Sequence, residues 1–504
     1  MDYLTLLLLI LSFIVSTFFF SFIQTSKHSK LPPGPKPYPI IGNILDLLNS
    51  SNSLKSFINL SKTYGPIITL KLGTLTSIVI SSPQIAKEAL QKNDVILSNR
   101  TIPYTMFSTI EEHCNKNSII FLPSSTKWRL LRRACATRIF SPQQLDSTQI
   151  LRKRKFQDLV NFLHQCCKKG EALDIGEAIF KTILNIISNT FISKDFVHYY
   201  DNDEKFKVFK DIVFGLTEES SRPCLGDFFP LLGFLGSHGA RARTKDRYAT
   251  LYAVFDGAME ERIRLRDSKI DSRECNDALD SLLDLVNEES SQLNRHDVVS
   301  LLMDLFVASI DTTSSTLEWA MAELIHSPKK LLKVREELEE SLGKNGEVEE
   351  SHISKLPYLN AIVKETLRLH PPAPFLVPHK ANDDVELGGF TVPKSAQILI
   401  NVWSIGRDSR VWANPNSFEP ERFLDSEIDF KGKNFELIPF GSGRRICPGL
   451  SLASRTLNFM LASLLYHFNW KVANEMNPED IDMSYSYGIT LHKALPLFLV
   501  PIKV

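Results

Sequence analysis

The sequence predicts a mainly α-helical protein with a minor β-sheet region, preceded by a single N-terminal transmembrane helix. Three observations support this fold class. An uncharged apolar run occupies residues 3–23. Segments with helical periodicity fill most of residues 84–369, whereas runs rich in β-branched residues are few and short. No break in composition divides the rest of the 504 residues, which favours one large domain.

The N-terminal run reads YLTLLLLILSFIVSTFFFSFI and can cross a hydrocarbon core about 30 Å thick as a helix. A cleaved signal peptide is the alternative, but Asp2 replaces the usual basic start and no small-residue cleavage site follows. We therefore predict that residues 1–30 are an anchor in the lipid bilayer with a basic flank. Lys27 and Lys30 follow the run, so the positive-inside rule places the body in the cytosol.

Residues 31–42, LPPGPKPYPIIG, are predicted to be a proline-rich hinge, because each proline fixes its own φ and restricts the residue before it. A plain linker is the alternative. Residues 43–504 then form a single domain.

Short strands and long helices alternate along this domain. Strands are predicted at Ile67–Leu72, Ser77–Ile80, Val385–Leu387 and Gln397–Ile400, with a final pair near Ile489–Leu491 and Leu497–Val500. Helices are predicted at Gln84–Gln91, Trp128–Arg138, Gln149–Cys167, Leu173–Phe191, Tyr248–Arg266, Arg295–His326, Pro328–Leu342, Tyr358–Leu369 and Leu450–Phe468.

The composition argues against some classes of protein. Basic and acidic residues number 58 each, and this balance predicts no binding to nucleic acid. The seven cysteines are scattered and odd in number. They therefore do not form a disulfide framework, which agrees with a reducing cytosol.

One cysteine carries a chemical signal. The stretch FGSGRRICPG, residues 440–449, places Cys447 among glycines and directly before an apolar helix. Glycines allow the close approach of a flat ligand, and a helix N-terminus favours a thiolate over a thiol. The pattern suits a cysteine bound to haem iron, with Arg445 on a haem propionate. A buried structural cysteine is the alternative for an isolated residue.

Three further motifs precede this loop. Glu365 and Arg368 are spaced i, i+3 on a helix, which alone could be a surface ion pair. Trp128 and Arg132 share a helical face and suit haem propionates, with a surface pair as the alternative. The segment ASIDTT, residues 308–313, inserts polar groups into an apolar helix, where threonine otherwise bonds back to a carbonyl.

Together these motifs resemble those of the cytochromes P450, whose haem-binding loop is F-x-x-G-x-R-x-C-x-G. The resemblance extends over the whole chain and is strongest to the plant microsomal group that includes geraniol 8-hydroxylases, through segments such as LPPGPKPYPIIGNI, SSTLEWAMAELI and YGITLHKALPL. It implies a cytochrome P450 fold, a haem b cofactor and a membrane-bound NADPH-cytochrome P450 reductase as partner, since no dinucleotide motif is found. It also implies a single-pass protein of the endoplasmic reticulum membrane.

The resemblance assigns roles residue by residue. Cys447 is the axial iron ligand, and Thr312 and Asp311 bind dioxygen and relay protons to it. Residues Arg445, Trp128, Arg132, His379, Phe440 and Gly449 bind the haem. Glu365, Arg368 and Arg422 brace the haem loop without chemical work. Ser309 departs from the pattern, because the family usually has glycine there, and it puts the efficiency of turnover in question.

The predicted substrate pocket is apolar, which suits a small hydrophobic plant metabolite. Its residues are Ile102, Met106, Phe107, Phe306, Ser309, Ile310, Phe375 and Ile489. Because Arg100 alone could bind an amino-acid carboxylate, we expect a terpenoid alcohol, a monoterpenol, and hydroxylation by a haem-thiolate monooxygenase. The alternatives are a tyrosine or phenolic hydroxylase like those of betalain-forming plants, a haem-thiolate isomerase and a non-catalytic haem protein.

Overall fold

The computed structural model describes Ser12 and residues 30–48, 53–109, 117–199, 204–235, 238–268, 277–288, 292–343 and 346–504. The predicted membrane anchor at residues 3–23 lies outside the described residues except for Ser12. Within the described part, one helix, Arg295–His326, is long and apolar enough to cross a bilayer, and it is mostly buried inside the protein.

Helices make up most of the described fold, in agreement with the predicted fold class. The α-helices are α1 (Ile44–Leu48), α2 (Ser53–Tyr64), α3 (Pro83–Lys87), α4 (Tyr104–Thr109), α5 (Thr126–Ala134), α6 (Pro142–Ser147), α7 (Gln149–Lys169), α8 (Ile175–Ile192), α9 (Glu204–Ser221), α10 (Leu225–Phe228), α11 (His238–Ser268), α12 (Ala278–Asn287), α13 (Arg295–His326), α14 (Pro328–Leu342), α15 (Pro357–Leu369), α16 (Val402–Ile405) and α17 (Leu450–His467). Two of them continue as π-helical turns, α3 at Glu88–Lys92 and α5 at Cys135–Ile139.

The strands are short and gather mainly in two small sheets. They are β1 (Ile67–Leu72), β2 (Leu75–Ile80), β3 (Asn99–Arg100), β4 (Leu173–Asp174), β5 (His379–Lys380), β6 (Val385–Leu387), β7 (Phe390–Val392), β8 (Gln397–Ile400), β9 (Phe468–Val472), β10 (Tyr485–Tyr487), β11 (Leu491–Lys493) and β12 (Phe498–Lys503). The five-stranded sheet has the order β1-β2-β8-β5-β3, and only β2 and β8 pair in parallel. A three-stranded sheet has the order β4-β12-β9, and β6–β7 and β10–β11 form hairpins.

Helix α13 is the central element of the helical body. Asn294 begins it with a capping box, in which its side chain accepts from the Asp297 backbone N–H and the Asp297 carboxylate accepts in return. The helix is buried on nearly all sides, as expected of a helix surrounded by others. It packs against α8, α11, α15 and α17, and the main hydrophobic core forms around it.

The proline-rich segment lies against the five-stranded sheet. The carbonyl of Pro33 accepts from the Thr69 backbone N–H at 2.9 Å, and that of Pro32 accepts from the Thr69 hydroxyl at 2.8 Å. A bridge between Gly42 and Leu72 extends the contact along β1. The predicted hinge is therefore attached to the folded body along much of its length.

The prediction of the C-terminal strand pair was wrong. Residues near Leu491 do form a strand, but β11 pairs with β10 and not with the last strand. Strand β12 instead pairs with β9 and β4. The reason is that Leu499 and Leu173 are buried between these strands, and a local hairpin would leave that apolar surface uncovered.

Candidate haem site

The cysteine loop is held in one conformation by its backbone. Gly443 has a φ of 67°, and a Cβ atom there would lie 2.0 Å from the carbonyl oxygen of Leu90, so no other residue fits. After this turn the backbone N–H of Cys447 donates to the carbonyl of Phe440 at 2.9 Å. Phe440 packs against the main core, and its ring lies 5.5 Å from that of Phe430. The loop thus presents Cys447 at a fixed position just before α17.

The Cys447 thiol lies among groups that stabilise a thiolate. Burial raises its pKa, while the backbone N–H groups of Gly449 and Leu450 and the cation of Arg132 act in the opposite direction. In the protein alone burial is the larger effect. Coordination to a metal cation would outweigh the effect of burial, because a coordinating thiol is deprotonated outright.

Arg132, which interacts with this sulfur, belongs to a cluster of three arginines with Arg100 and Arg445. Burial, then the positive charges of Arg445 and Arg132, lower the pKa of Arg100 to about 9. Burial and Arg132 also lower the pKa of Arg445 to about 10. Among the described residues none of the three forms an ion pair with a carboxylate, and the buried Nε of Arg100 has no hydrogen-bond partner. A partly buried cluster of like charges is costly, and an anion between its members would stabilise it.

The predicted contacts of Arg445 and Trp128 take a particular form. Arg445 donates to the carbonyls of Ser98 at 2.7 Å, Ile119 at 3.2 Å and Leu122. The Trp128 indole N–H donates to Ile119 at 3.1 Å, and the ring lies 4.4 Å from the Arg445 guanidinium. The indole N–H is therefore occupied by a backbone carbonyl, and Trp128 stacks on the arginine.

His379 lies beside the cluster but is held neutral. It is opposite Arg100 in the β3–β5 pairing, and its Nδ1 lies 2.7 Å from the carbonyl of Leu97. Burial, then the charges of Arg100 and Arg445, keep the pKa of His379 well below its ordinary value. Because Nδ1–H must donate to Leu97, the neutral ring offers a lone pair at Nε2. It can donate to a propionate only when an anion there favours the doubly protonated ring.

These residues fit a haem. A haem needs a thiolate ligand for its iron and cations for its two propionates. Cys447 can provide the thiolate, and the cluster of Arg100, Arg132 and Arg445 can provide the cations. The Nε of Arg100 has no hydrogen-bond partner, and the three arginines repel one another. A propionate bound between them would relieve both effects.

Helix α13 borders a cavity at one short stretch. It is buried over most of its length, yet Ala308 is exposed and Thr312, one turn later, is partly exposed. Residues four apart share a helical face, so this face looks into open space within the fold. The Thr312 hydroxyl donates to the Ala308 carbonyl at 2.8 Å, and the Ser309 hydroxyl donates to the Phe306 carbonyl at 3.2 Å.

Asp311 lies beside that face on the helix and is fully buried. Neither of its carboxylate oxygens accepts a hydrogen bond from a residue that the structure describes. Its nearest cation is His492 of β11, whose Nε2 lies 3.3 Å from Oδ1, an ion-pair distance.

The Glu365–Arg368–Arg422 cluster is buried, which excludes a surface ion pair. Arg368 donates to both Glu365 oxygens at 2.7 Å, and both side chains are 0% exposed. Arg422 donates to the same carboxylate at 3.1 Å. Arg368 also donates to the carbonyls of Gly406, Pro415 and Ser417. The cluster therefore fixes the 406–422 segment to α15.

The predicted pocket residues lie in different surroundings. Phe306 and Ile310 are 0% exposed in the main core, and Phe306 packs on Phe255 with ring centroids 5.3 Å apart. Met106 and Phe375 are also buried, Phe375 against Phe57 at 4.7 Å. Partly buried positions are taken by Ile102, Ser309 and Ile489, and the side chain of Phe107 lies outside the described part. Core packing, and not an open cavity wall, thus describes Phe306 and Ile310.

The fold and the cysteine site together define a haem-thiolate protein, and the comparisons name the family. The chain matches the cytochrome P450 family over residues 32–500. It belongs to this family and is a cytochrome P450 monooxygenase with a haem cofactor. Such enzymes use a redox partner and hydrophobic substrates, and those of plants are typically membrane-bound.

Similar proteins cover the chain almost end to end. A geraniol 8-hydroxylase from Catharanthus roseus is 46% identical over 99% of both chains. A geraniol 8-hydroxylase from Swertia mussotii is 45% identical over 94% of this chain and 93% of its own. Cytochrome P450 76AD1 from Beta vulgaris is 45% identical over 100% of this chain and 99% of its own.

Two residues of the site were missed or misread from the sequence. Arg100 was considered only as a partner for an amino-acid carboxylate, because a two-residue strand such as β3 gives no periodic signal. His492 was not considered at all, although its neighbour Ile489 was. His492 is far from Asp311 in the sequence, so no local pattern indicates that the two side chains are in contact.

Proposed function

We propose that this enzyme hydroxylates a small terpenoid alcohol of the monoterpenol class, using dioxygen and electrons that a separate reductase takes from NADPH. The observation that carries the proposal is the position of Arg100. Arg100 could bind an amino-acid carboxylate, but it lies beside Arg445 and Arg132. We expect this arginine cluster to bind the haem propionates instead. A neutral substrate is therefore favoured over tyrosine, and two relatives named geraniol 8-hydroxylase support the terpenoid class.

The proposed division of labour follows from the contacts above. Bound haem would supply the one-electron and dioxygen chemistry, and Cys447 would hold its iron. Arg100, Arg132 and Arg445 hold the propionates, with Trp128 as a stacking surface and His379 as a donor when protonated. Phe440 and Gly449 keep the loop in place. On helix α13, Thr312 orients water or substrate in the cavity, and Asp311 supplies protons.

The remaining part of the proposal concerns location. We propose that residues 3–23 anchor the enzyme in the endoplasmic reticulum membrane, with residues 43–504 as the haem-binding catalytic domain in the cytosol. The absence of charge in the run and the lysines after it support this orientation.

The test is expression in microsomes with a reductase and a panel of monoterpenols, diterpenes, tyrosine and phenolic amines. We expect a hydroxylated monoterpenol that carries label from isotopically heavy dioxygen. Turnover of tyrosine without turnover of monoterpenols would refute the substrate class. Label-free product independent of dioxygen would indicate an isomerase instead.

A matched pair of cysteine variants tests the ligand in the same membranes. Cys447→Ser should abolish the thiolate-shifted band of the carbon monoxide complex. Cys166→Ala, at another buried cysteine far along the chain, should retain it. A retained band in Cys447→Ser would refute the assignment.

Ser309 calls for a separate pair of variants. Ser309→Gly removes both the hydroxyl and Cβ, whereas Ser309→Ala removes only the hydroxyl. We expect Ser309→Gly to change the product formed per NADPH consumed. An unchanged ratio would show that the departure from the family pattern has no effect on coupling.

A further inference from the structure

A buried network of charged side chains lies behind Asp311, on the side of α13 that faces α9 and the β10–β11 hairpin. Asp311 is 0% exposed and has no hydrogen bond among the described residues, so its carboxylate depends on the His492 ion pair at 3.3 Å. A buried carboxylate without a charged partner is costly. The pair is therefore the main stabilisation of the ionised acid in this structure.

His492 is surrounded by groups from two helices. Asp311 and Glu318 face it from α13, and Lys210 faces it from α9. The ring of Phe214, also in α9, lies 5.1 Å from the imidazole. Burial lowers the pKa of His492, but the charges of Asp311 and Glu318 outweigh burial and Lys210, so the pKa is raised above its ordinary value.

Glu318 follows Asp311 by seven residues, two turns along the same helical face. Burial, then the charge of Asp174, raise the pKa of Glu318 to about 7, while Lys493 and His492 act in the opposite direction. Near neutral pH this carboxyl exists in both protonation states. Glu318 therefore adds a negative charge to the surroundings of His492, and the extent of that charge changes near neutral pH.

We propose that His492 is the positioning and proton-relay partner of Asp311, and that it connects this buried acid to solvent. The proposal rests on the proposed proton-supplying role of Asp311. In one cycle the Nε2 proton of the imidazolium passes to Asp311, and Asp311 passes a proton on toward the cavity at Ala308. A solvent proton then returns to the imidazole, whose side chain is 24% exposed. One solvent proton enters the cavity, and no group is oxidised or reduced.

The pair itself is tested first, by nuclear magnetic resonance of the holoenzyme in its diamagnetic ferrous carbon monoxide form. With histidine labelled at Cε1, the His492 signal is assigned by its loss in His492→Gln. We expect it to titrate above the ordinary histidine pKa of ~6.5, and to titrate lower in Asp311→Asn. An unchanged titration in Asp311→Asn would overturn the pair. The band of the carbon monoxide complex verifies folding of each variant.

The relay is tested by coupling, measured as product and hydrogen peroxide formed per NADPH. We expect His492→Gln to lower the product ratio by about tenfold, less than the ~10²-fold typical when a direct proton donor is lost. His492→Lys keeps a cation beside Asp311 but has a pKa of ~10.4, too high for a donor at neutral pH. It should restore thermal stability and leave coupling low.

Each outcome of the coupling experiment has a separate meaning. Full coupling in His492→Lys, or normal coupling in His492→Gln, would overturn the relay and leave only a structural ion pair. Normal coupling in Asp311→Asn would instead overturn the proposed role of Asp311. The control is His164→Gln, a partly buried histidine on α7, which should couple as the wild type does.

Discussion

Glu365→Gln is the sharpest test of how this fold holds its haem loop. The substitution preserves shape and removes one negative charge. Glu365 accepts two bonds from Arg368 at 2.7 Å, one from Arg422 at 3.1 Å and one from the Glu419 backbone N–H at 2.6 Å. Glutamine can accept at one atom only, and its amide would point two hydrogens at donors.

The magnitude follows from burial. Both Glu365 and Arg368 are 0% exposed, so no water can replace the lost charge. Breaking a buried ion pair by removing one partner costs about 3–5 kcal/mol. That corresponds to a fall of about 10² to 10⁴ in the ratio of folded to unfolded protein.

The matched control is Glu218→Gln, which removes a partner of Arg222. That pair is 2.8 Å apart, but its side chains are 64% and 58% exposed. A pair of this kind contributes less than about 1 kcal/mol. We would measure urea unfolding and haem content per polypeptide for both variants. Equal midpoints and haem contents in the two variants would refute the bracing role of the cluster.

Three other substitutions test separate features of the fold and the site. Gly443→Ala should prevent haem loading, because its Cβ would lie 2.0 Å from a carbonyl oxygen, whereas Gly257→Ala, with open space around it, should be neutral or slightly stabilising by unfolding and haem content. Arg100→Gln should speed haem loss to apomyoglobin about tenfold, since a hydrogen bond to a charged group is worth about 1.5–3 kcal/mol. Arg129→Gln, at an exposed arginine, should leave the rate unchanged. Equal rates in the two variants would contradict binding of the propionates by the arginine cluster. Burial raises the pKa of Asp304 to about 6 from 3.8. The protonated carboxyl therefore stabilises the fold fully below pH 3.8, and this contribution is lost as pH rises through about 6. Asp304→Asn should flatten the fall in unfolding midpoint between about pH 4 and 6, and an unchanged slope would contradict this.

The sequence was most informative where one local pattern specifies one geometry. The Cys447 loop is such a case, because Gly443 has to be glycine for its φ and for its contact with Leu90. The bounds of Arg295–His326 were also predicted to the residue, because Asn294 and Asp297 form a capping box before an apolar helix and Pro328 follows it.

The sequence was least informative where contacts join distant segments. Helix α9 was not predicted, although Phe206, Ile212, Val213 and Leu216 are buried at helical spacing. Lysines and a glycine between them weaken the periodic signal. The partners of β12 were missed for a different reason, since strand pairing is decided by which apolar faces meet and not by proximity along the chain.

The hydroxyls of α13 and the Asp311–His492 pair have different roles in the proposed mechanism. The Thr312 hydroxyl gives its hydrogen to the Ala308 carbonyl at 2.8 Å, so it offers lone pairs to the cavity and can accept a hydrogen bond there but not donate one. Ser309 is occupied in the same way by the Phe306 carbonyl. With this hydrogen bonding the helix hydroxyls can orient water or a protonated ligand, but they cannot supply the proton. In the proposed mechanism the proton therefore comes from Asp311, which lies beside this stripe on the helix and is paired with His492. We accordingly expect His492 to matter more than Ser309 for proton delivery.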